Sequence, residues 1–279
     1  MTGTALLRSS PAGGDLTWEQ FRRFSRLAYD TFGLSLDDSK KAMVNSRLSK
    51  KVRELGVDSF EEYYEMVASD GSGLETLVDA LTTNFTGFLR ESEHFEILKQ
   101  MVRQQRSSAD LTVWSAACSS GEEPYSILFT LNDEGVGSSV HLLASDISSR
   151  VLDRARNGMY ESRALDGVPP HWTSGYFVRG GRQWSGWWRV KETYRNGIDF
   201  RLFNLLDSPL PSTRFSAIFC RNVMIYFDKP TQKRVVSRLV SCLVPGGYLF
   251  IGHAENIGGM CEELRQAGPA VYRLAGGEG

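Results

Sequence analysis

The sequence predicts an α/β protein built on a doubly wound sheet, with a small all-α domain at its N-terminus and an inserted antiparallel β-subdomain. Three observations support this fold class. From Leu16 to about Gln100, apolar residues recur three and four positions apart, as on one face of a helix. From Leu111 onward, short apolar runs alternate with helical segments, as in a parallel sheet covered by helices. Between His171 and Phe200 this alternation gives way to short strands and tight turns.

These patterns divide the chain into a disordered lead-in at 1–14, a helical domain with its linker at 15–95, and a ligand-binding domain at 96–279 that contains the insert at 169–200. The lead-in lacks the apolar core of a secretion signal, and no apolar run approaches the ~20 residues needed to span a bilayer. The four cysteines are scattered, without a C-x-x-C pair. We therefore expect a cytoplasmic protein with reduced thiols, no membrane insertion and no metal site.

Charge is nearly balanced along the chain as a whole. The formal net charge of -1 argues against a general nucleic-acid binder, which usually has a marked basic excess. Basic residues nevertheless crowd one predicted helix of the N-terminal domain. The candidates for docking an acidic substrate helix are Arg47, Lys50, Lys51 and Arg53. The same run is also typical of a solvated helix face, and the sequence leaves both interpretations open.

Polar side chains punctuate the otherwise apolar segment at 81–91. Asn84, Thr86 and Arg90 need partners there, because polar groups among apolar neighbours are costly without hydrogen bonds. An ordinary loop would account for the threonine. Arg90, which is flanked by Phe88 and Leu89, is harder to explain that way and is therefore a candidate site residue.

The run from Val113 to Tyr125 has the form of a strand that passes through a tight turn into a helix, as in nucleotide-binding folds. Of the glycines in the dinucleotide fingerprint only Gly121 remains, and Glu122 and Glu123 stand where a pyrophosphate would meet the helix N-terminus. Two carboxylates there repel a phosphate and favour a positively charged ligand. S-adenosylmethionine, which carries a sulfonium and an ammonium group, fits this requirement.

Four apolar runs are predicted to form buried strands, with helices between them. The strands are Val113–Ala117, His141–Ser145, Ala217–Cys220 and Tyr248–Ile251, and the helices are Pro124–Leu131, Ser149–Arg156 and Lys229–Leu243. Asp146 follows the second strand, where an acidic residue binds the ribose hydroxyls in nucleotide folds. It could equally cap the helix that begins at Ser149, but the turn at Gly121 favours the ribose role.

The predicted insert contains three short strands, Tyr176–Arg179, Trp187–Val190 and Ile198–Phe200. Four of the six tryptophans of the chain lie between Trp172 and Trp188. These aromatic side chains either hold together a small sheet that lacks a deep core or form a surface for an extended peptide. The two roles are compatible.

The strand at Ala217–Cys220 is followed by Arg221, Asn222 and Tyr226, at the end of the strand where open α/β sheets bind ligands. A buried arginine requires partners, so a structural salt bridge is the alternative for Arg221. A core tyrosine with one end in solvent is the alternative for Tyr226.

Six segments resemble, in the same order, those of the chemoreceptor glutamate methyltransferases of the CheR type. They read TTNFTGFLRE, VWSAACSSGEEPYSI, ASDI, FNLL, FCRNVMIYFD and LFIGHAEN. The resemblance implies a class I S-adenosylmethionine-dependent methyltransferase domain behind a small helical domain and interrupted by a β-subdomain. It also implies an enzyme that forms methyl esters on glutamate side chains of the cytoplasmic helices of chemoreceptors, in sensory adaptation.

The same resemblance assigns roles to individual residues. The counterparts of Arg90 and Tyr226 position the acceptor carboxylate. The residues that bind S-adenosylmethionine are Asn84, Thr86, Arg90, Gly121, Glu123, Asp146, Asn204, Leu205, Arg221 and Asn222. The expected partner is the cytoplasmic domain of a transmembrane chemoreceptor, whose C-terminal peptide is a candidate for binding the β-subdomain, and a monomer is the expected state.

Two other functions are weighed against this one. A nucleic-acid methyltransferase of the same fold would carry a D/N-P-P-Y/F motif after the fourth strand, where this chain has Arg221, Asn222, Val223 and Met224. A non-catalytic adaptor that binds cofactor or receptor remains the alternative. The presence of Arg90 and Tyr226 argues against it, since a protein that had lost catalysis would not need them.

Overall fold

The computed structural model describes residues 14–69, 71–104 and 111–276. They fall into two compact units, Met1–Thr83 and Asn84–Gly279. The predicted lead-in lies outside the described residues except for Gly14. No helix within the described ranges is long and apolar enough to cross a bilayer.

The described part of the first unit consists of four α-helices around an apolar core. They are α1 (Trp18–Phe32), α2 (Lys41–Leu55), α3 (Phe60–Ser69) and α4 (Gly71–Leu81). Thr17 and Gln20 form a capping box at the start of α1, and Gly33 ends this helix with a φ of 71°. Phe24 and Tyr63, from the two predicted apolar stripes, are fully buried and stack with ring centroids 5.7 Å apart.

The linker predicted at the end of the first domain belongs to the second unit, which corrects the predicted boundary at residue 95. The physical reason is packing. The backbone N–H of Leu89 donates to the Ser126 hydroxyl over 3.0 Å. The ring of Phe88 meets Tyr160 and Phe177 edge to face.

The second unit contains a large sheet and, within the region of the insert, a small one. The strands in chain order are β1 (Leu111–Ser115), β2 (Val140–Asp146), β3 (Met159–Glu161), β4 (Phe177–Arg179), β5 (Trp187–Val190), β6 (Ile198–Leu202), β7 (Phe215–Phe219), β8 (Leu243–Phe250), β9 (Leu264–Gly268) and β10 (Val271–Leu274). The large sheet has the order β6-β2-β1-β7-β8-β10-β9; β10 pairs antiparallel with both β8 and β9, and the other neighbouring pairs are parallel. This is the doubly wound sheet that the sequence predicts.

Helices cover this sheet, and the three that the sequence predicts are confirmed with small shifts of their ends. The helices are α5 (Glu93–Gln104), α6 (Glu122–Asp133), α7 (Ser149–Asn157), α8 (Pro170–Tyr176), α9 (Glu192–Arg195) and α10 (Lys229–Ser241). Ser148 caps α7 and Asp228 caps α10, each with a side chain that accepts a backbone N–H of the first turn.

The small sheet has the order β3-β5-β4 and is antiparallel throughout, as predicted, but its composition differs from the prediction for residues 169–200. The predicted strand that begins at Ile198 is β6, which pairs in parallel with β2 at the edge of the large sheet. Its place in the small sheet is taken by β3, which begins directly after Gly158 at the end of α7. Alternation along a sequence identifies a strand but not its partner, so this part of the prediction is wrong.

The insert is tied to α6 by one carboxylate. Asp133 accepts hydrogen bonds from Nε1 of Trp172 over 2.6 Å, from the hydroxyl of Tyr176 over 2.5 Å and from Nε2 of His171 over 2.9 Å. Trp172 and Tyr176 are buried against the ring of Phe129. Within the tryptophan-rich region, the aromatic side chains of α8 therefore serve to hold the insert against α6.

We expect Asp133→Ala to lower the free energy of unfolding by about 2 kcal/mol, because the buried side chains of Trp172 and Tyr176 lose their shared acceptor. Urea denaturation followed by tryptophan fluorescence measures this. Asp153→Ala is the control, since that side chain is 71% exposed and forms a surface pair with Arg156. Equal effects of the two substitutions would contradict the anchoring role.

Candidate active site

The candidate site lies at the carboxyl ends of the parallel strands, beside the switch in strand order between β1 and β7. The chain leaves β1 toward β2 on one side and reaches β7 on the other, which opens a crevice between the loops that follow these strands. Asp146, Arg221 and the turn that contains Gly121 all lie at this edge. Three of the sequence-predicted elements are thereby brought together.

The turn between β1 and α6 requires glycine at position 121 for two reasons. Gly121 has a φ of 99°, and a Cβ atom there would lie 2.9 Å from both the Ala155 side chain and the Tyr160 hydroxyl oxygen. Its contacts are thus with α7 and the small sheet. The neighbouring residue Ser119 also has a left-handed backbone, with a φ of 48°, and its N–H donates to Oδ2 of Asp146 over 2.8 Å.

Asp146 joins the loop after β1 to the loop after β2. Besides Ser119, its carboxylate accepts the backbone N–H of Ser148 over 3.1 Å. The side chain that caps α7 is that of Ser148, so the helix-cap alternative for Asp146 is wrong. The backbone carbonyl of Asp146 accepts the N–H of Phe203, which brings Asn204 and Leu205 alongside.

Asn204 and Leu205 form the loop after β6. The side-chain oxygen of Asn204 accepts the N–H of Leu206 over 3.0 Å and so shapes the turn. Leu205 is buried, and its carbonyl accepts a hydrogen bond from Arg238 over 2.8 Å. Both residues thus follow closely on the residue that is bonded to Asp146, and their predicted role in binding the cofactor stays a prediction.

Arg221 is the centre of a buried ion cluster. Its side chain is 2% exposed, and its guanidinium contacts Glu91 at 2.9 Å and Glu123 at 3.1 Å. It also donates to the backbone carbonyl of Arg90. The salt-bridge alternative for Arg221 is therefore confirmed, and the arginine joins the segment before α5, the start of α6 and the loop after β7.

The two carboxylates of the cluster differ in their surroundings. Burial raises the pKa of Glu123, and the bonds from Arg221 and from the Ser115 hydroxyl, at 2.7 Å, offset only part of that effect. Burial also acts to raise the pKa of Glu91, but the bonds from Arg221 and Asn222 outweigh it and hold that pKa below its ordinary value. Two carboxylates thus share one guanidinium, so the cluster is acidic and favours a cationic ligand.

Left-handed backbone at non-glycine residues is concentrated around this cluster. Leu89, Glu91 and Asn222 have φ values of 53°, 56° and 59°, in addition to Ser119. Each such residue costs of order 1–3 kcal/mol and persists only where surrounding contacts hold it. Those contacts include the bond from the Asn222 side-chain amide to Glu91 over 3.2 Å.

Arg90 and Tyr226 lie on the two segments that Glu91 and Asn222 connect. Nη1 of Arg90 donates to the carbonyl of Phe85 over 2.8 Å, and the guanidinium carbon lies 5.3 Å from the centre of that exposed ring. Among the described residues it makes no ion pair with a carboxylate, so most of its donors are available to an incoming anion. Tyr226 is half-buried in the short 3₁₀-helix Met224–Tyr226.

Two of the predicted cofactor residues lie before Arg90 in the chain. Asn84 is exposed and Thr86 is half-buried in the irregular segment that leads to Arg90. Their predicted role stays a prediction.

The predicted docking residues belong to the first unit, where Arg47 has a structural role. Its guanidinium donates to the carbonyl of Leu81 and to the hydroxyl of Thr83, each over 2.6 Å, and so ties down the end of α4. Lys50 and Lys51 lie within 3.8 Å and 3.2 Å of Glu54, and Arg53 is exposed. Because the guanidinium of Arg47 is engaged in these hydrogen bonds, the solvated-face interpretation fits Arg47 least. Lys50 and Arg53 are the cations of this set that face solvent.

A group that could hold a metal ion adjoins the cluster, although the sequence predicts no metal site. Ligand atoms of Glu91, His94 and His253 lie within 4.8 Å of one another. Burial and the charge of Arg221 lower the pKa of His94 to about 4, and its Nδ1 has no hydrogen-bond partner among the residues that the structure describes. The carboxylate oxygens of Glu91 already accept hydrogen bonds from Arg221 and Asn222. The predicted absence of a metal site stays a prediction.

Sequence reasoning missed Glu91, His94 and Glu255. Glu255 is buried and accepts backbone N–H groups from the loops after β7 and β8. Glu91 and Glu255 stand inside the quoted segments TTNFTGFLRE and LFIGHAEN. The available signal was the same one that singled out Arg90, a charged residue next to an apolar run.

Comparison with known proteins gives a match along both units. A family model described as "CheR methyltransferase, all-alpha domain" matches residues 19–82, and one described as "CheR methyltransferase, SAM binding domain" matches residues 84–272. The chain is 42% identical to the chemotaxis protein methyltransferase of Salmonella typhimurium, over 91% of this chain and 90% of that protein.

Two further relatives cover nearly all of both chains. Chemotaxis protein methyltransferase 2 of Pseudomonas aeruginosa is 42% identical, over 93% of this chain and 94% of that protein. The chemotaxis protein methyltransferase of Escherichia coli is 40% identical, over 98% of this chain and 96% of that protein.

The buried His94 makes stability depend on pH in a predictable direction. The imidazole of the unfolded chain takes up its proton at a pKa of about 6.5, whereas that of the folded protein does so at about 4. The protonated form thus favours the unfolded chain, so stability is unaffected by His94 above about pH 6.5 and is lost as the pH falls from there toward about 4.

We therefore expect His94→Gln to flatten the fall in the free energy of unfolding between about pH 7 and about pH 5. Urea denaturation at a series of pH values measures the slope. His141→Gln is the matched control, because His141 is exposed, and it should keep the slope of the natural protein. An unchanged slope in His94→Gln would show that this imidazole is not held neutral.

Proposed function

Since this chain belongs to the CheR family of methyltransferases, we propose that it transfers methyl groups from S-adenosylmethionine to glutamate side chains on the cytoplasmic helices of chemoreceptors. The product is a γ-carboxyl methyl ester, and the role is sensory adaptation. The observation that carries the proposal is the environment of Arg90. Its backbone is clamped by Arg221, while its guanidinium has donors to spare for a carboxylate.

The residues of the site fit the charge of the cofactor. The acidic cluster of Glu91, Glu123 and Arg221 suits a ligand with a sulfonium and an ammonium group, and the acidic start of α6 disfavours a phosphate. Asp146 would hold the ribose hydroxyls, and Asn204, Leu205 and Asn222 would line the same crevice. When bound, S-adenosylmethionine supplies an electrophilic methyl group and leaves as S-adenosylhomocysteine.

The proposed reaction needs no general base from this chain. The acceptor glutamate has an ordinary pKa of about 4.3 and is already ionised at neutral pH. In agreement, His94 is buried, neutral and bonded to the carbonyl of Pro269 rather than poised for proton transfer. The groups of the site therefore serve to bind, align and exclude water.

Arg90 is proposed to hold the acceptor carboxylate, with the hydroxyl of Tyr226 as a second donor. Opposite charges of donor and acceptor are neutralised in the transition state, so water that solvates the separated charges slows the step. A guanidinium that orients the carboxylate through one oxygen leaves the other oxygen to attack. The acceptor carboxylate is thus aligned by one oxygen while the other oxygen keeps its nucleophilicity.

Receptor recognition is proposed to use the small sheet in addition to the active site. A cavity of 440 Å³ is lined by apolar side chains, by cations that outnumber its one carboxylate, and by that carboxylate; the residues include Val178, Trp184, Trp187, Trp188, Arg179, Arg189, Lys191, Arg195 and Glu192. Within the described sheet β4 pairs only with β5, so its other edge can receive an extended peptide. The lining suits an acidic C-terminal receptor peptide with aromatic side chains, bound by a monomeric enzyme in the cytoplasm.

We expect Arg90→Ala to lower kcat/KM for receptor methylation about a hundredfold, equivalent to about 2.7 kcal/mol, because the acceptor carboxylate loses a charged partner. Transfer of labelled methyl groups onto receptor-containing membranes measures this, and calorimetry with S-adenosylhomocysteine measures cofactor binding. Arg103→Ala, which removes an exposed cation of α5, is the control. A full methylation rate in Arg90→Ala with unchanged cofactor binding would refute the assignment, and no transfer by the natural protein would favour the adaptor alternative.

For the small sheet, we expect Val178→Asp to raise KM about tenfold for a receptor that carries its C-terminal peptide, with kcat unchanged, because a carboxylate at the edge of β4 repels an acidic peptide. Calorimetric titration with the isolated peptide should show the same loss. Leu202→Asp is the matched control, since Leu202 is 54% exposed on the edge strand of the large sheet and Val178 is 55% exposed. Equal KM values for receptors with and without the peptide would exclude the tether.

A further inference from the structure

Glu255 uses its carboxylate to bind the backbone of two loops at the proposed site. Its Oε2 accepts the N–H of Asn222 over 2.9 Å and that of Gly252 over 2.6 Å, and its Oε1 accepts the N–H of Ile225 over 3.3 Å. Asn222 and Ile225 belong to the loop after β7, and Gly252 to the loop after β8. One side chain thus fixes the backbone of both loops.

The carboxylate of Glu255 is buried, so it needs favourable contacts to offset the cost of removing it from water. Glu255 is 8% exposed, and burial raises its pKa despite the hydrogen bonds from backbone N–H groups. Among the described residues no cation forms a salt bridge with it, so backbone N–H groups supply its favourable contacts. A buried charge of this kind is costly unless those contacts are retained.

The backbone conformation of the loop after β7 is stabilised by contacts from outside that loop. Asn222 has a left-handed backbone with a φ of 59°, which disfavours a non-glycine residue. The loops also touch closely, because a Cβ atom on Gly252 would lie 2.3 Å from Nδ2 and 2.9 Å from the backbone nitrogen of Asn222. The conformation therefore depends on a strong acceptor for the Asn222 N–H and on the absence of a side chain at position 252.

We propose that Glu255 is a positioning residue for methyl transfer, which acts through Asn222 and Tyr226. By holding the N–H groups of Asn222 and Ile225 it sets the side-chain amide of Asn222 against Glu91 and fixes the turn that ends at Tyr226. Glu255 itself contacts neither reacting group. The inference rests on the proposed function, since it concerns how that site is kept ready for cofactor and acceptor.

Two substitutions of Glu255 remove its hydrogen-bond acceptors to different extents. Glu255→Gln keeps one oxygen, which can still accept from Asn222 and Gly252, but turns an NH₂ group toward the N–H of Ile225. Glu255→Ala removes every acceptor. We expect affinity for S-adenosylhomocysteine, measured by calorimetry, to fall about tenfold in the alanine variant and less in the glutamine variant. The value of kcat should fall in the same order, while KM for the receptor domain stays unchanged.

The control and a second pair of variants separate positioning from loss of folding. Glu262→Gln and Glu262→Ala make the same chemical changes at an exposed residue and should leave binding unchanged. Asn222→Gly adopts a left-handed backbone without strain, so adding Glu255→Gln to it should weaken binding less than Glu255→Gln does alone. A loss that is the same in both backgrounds would identify a general destabilisation and overturn the inference.

The inference is also overturned if Glu255→Ala binds S-adenosylhomocysteine and turns over like the natural protein. Cofactor affinity is measured without receptor, so it separates this inference from the proposed function. Failure of the natural protein to methylate receptor membranes, with the graded affinities intact, would refute only the proposed acceptor. If the natural protein methylates receptor normally and the two Glu255 variants bind S-adenosylhomocysteine as tightly as it does, only the role of Glu255 is refuted.

Discussion

Burial of the Arg221 guanidinium is the constraint on which the rest of the site depends. A cation that is 2% exposed must be surrounded by acceptors, and here they come from two segments that are distant from it in the chain. Glu91, Glu123 and the carbonyl of Arg90 can reach it only if the segment before α5, the start of α6 and the loop after β7 lie together. Satisfying one charge therefore brings the elements of the site into contact.

The left-handed residues show how rigid the result is. Leu89, Glu91, Ser119 and Asn222 are each held by hydrogen bonds with residues distant in sequence, which offset the local conformational cost. Backbone strain is thus concentrated where cofactor and acceptor are proposed to bind. The packing of the sheet strands next to these loops offsets its energetic cost. Such a site is preorganised, so binding need not order these loops.

The sequence predicted what local patterns determine. Apolar runs identified the strands of the large sheet, the acidic turn after β1 indicated a cationic ligand, and the position after β2 located Asp146. It could not assign Ile198 to its sheet, because alternation does not specify a partner strand. Nor could it find Glu91 or Glu255, whose significance arises from groups at least 30 positions away. The role of Arg47 in tying down α4 depends on a contact of the same kind.

The position of the small sheet between β2 and β6 has a consequence for the order of folding. Pairing of β6 with β2 must bring together residues separated by the whole insert, as the register of Asp146 with Leu202 requires. Closing so long a loop is slow in an unstructured chain. The hairpin of β4 and β5 joins strands that are close in sequence and can form early. By shortening the effective distance between β2 and β6, it would speed completion of the sheet edge next to which Asn204 and Leu205 lie.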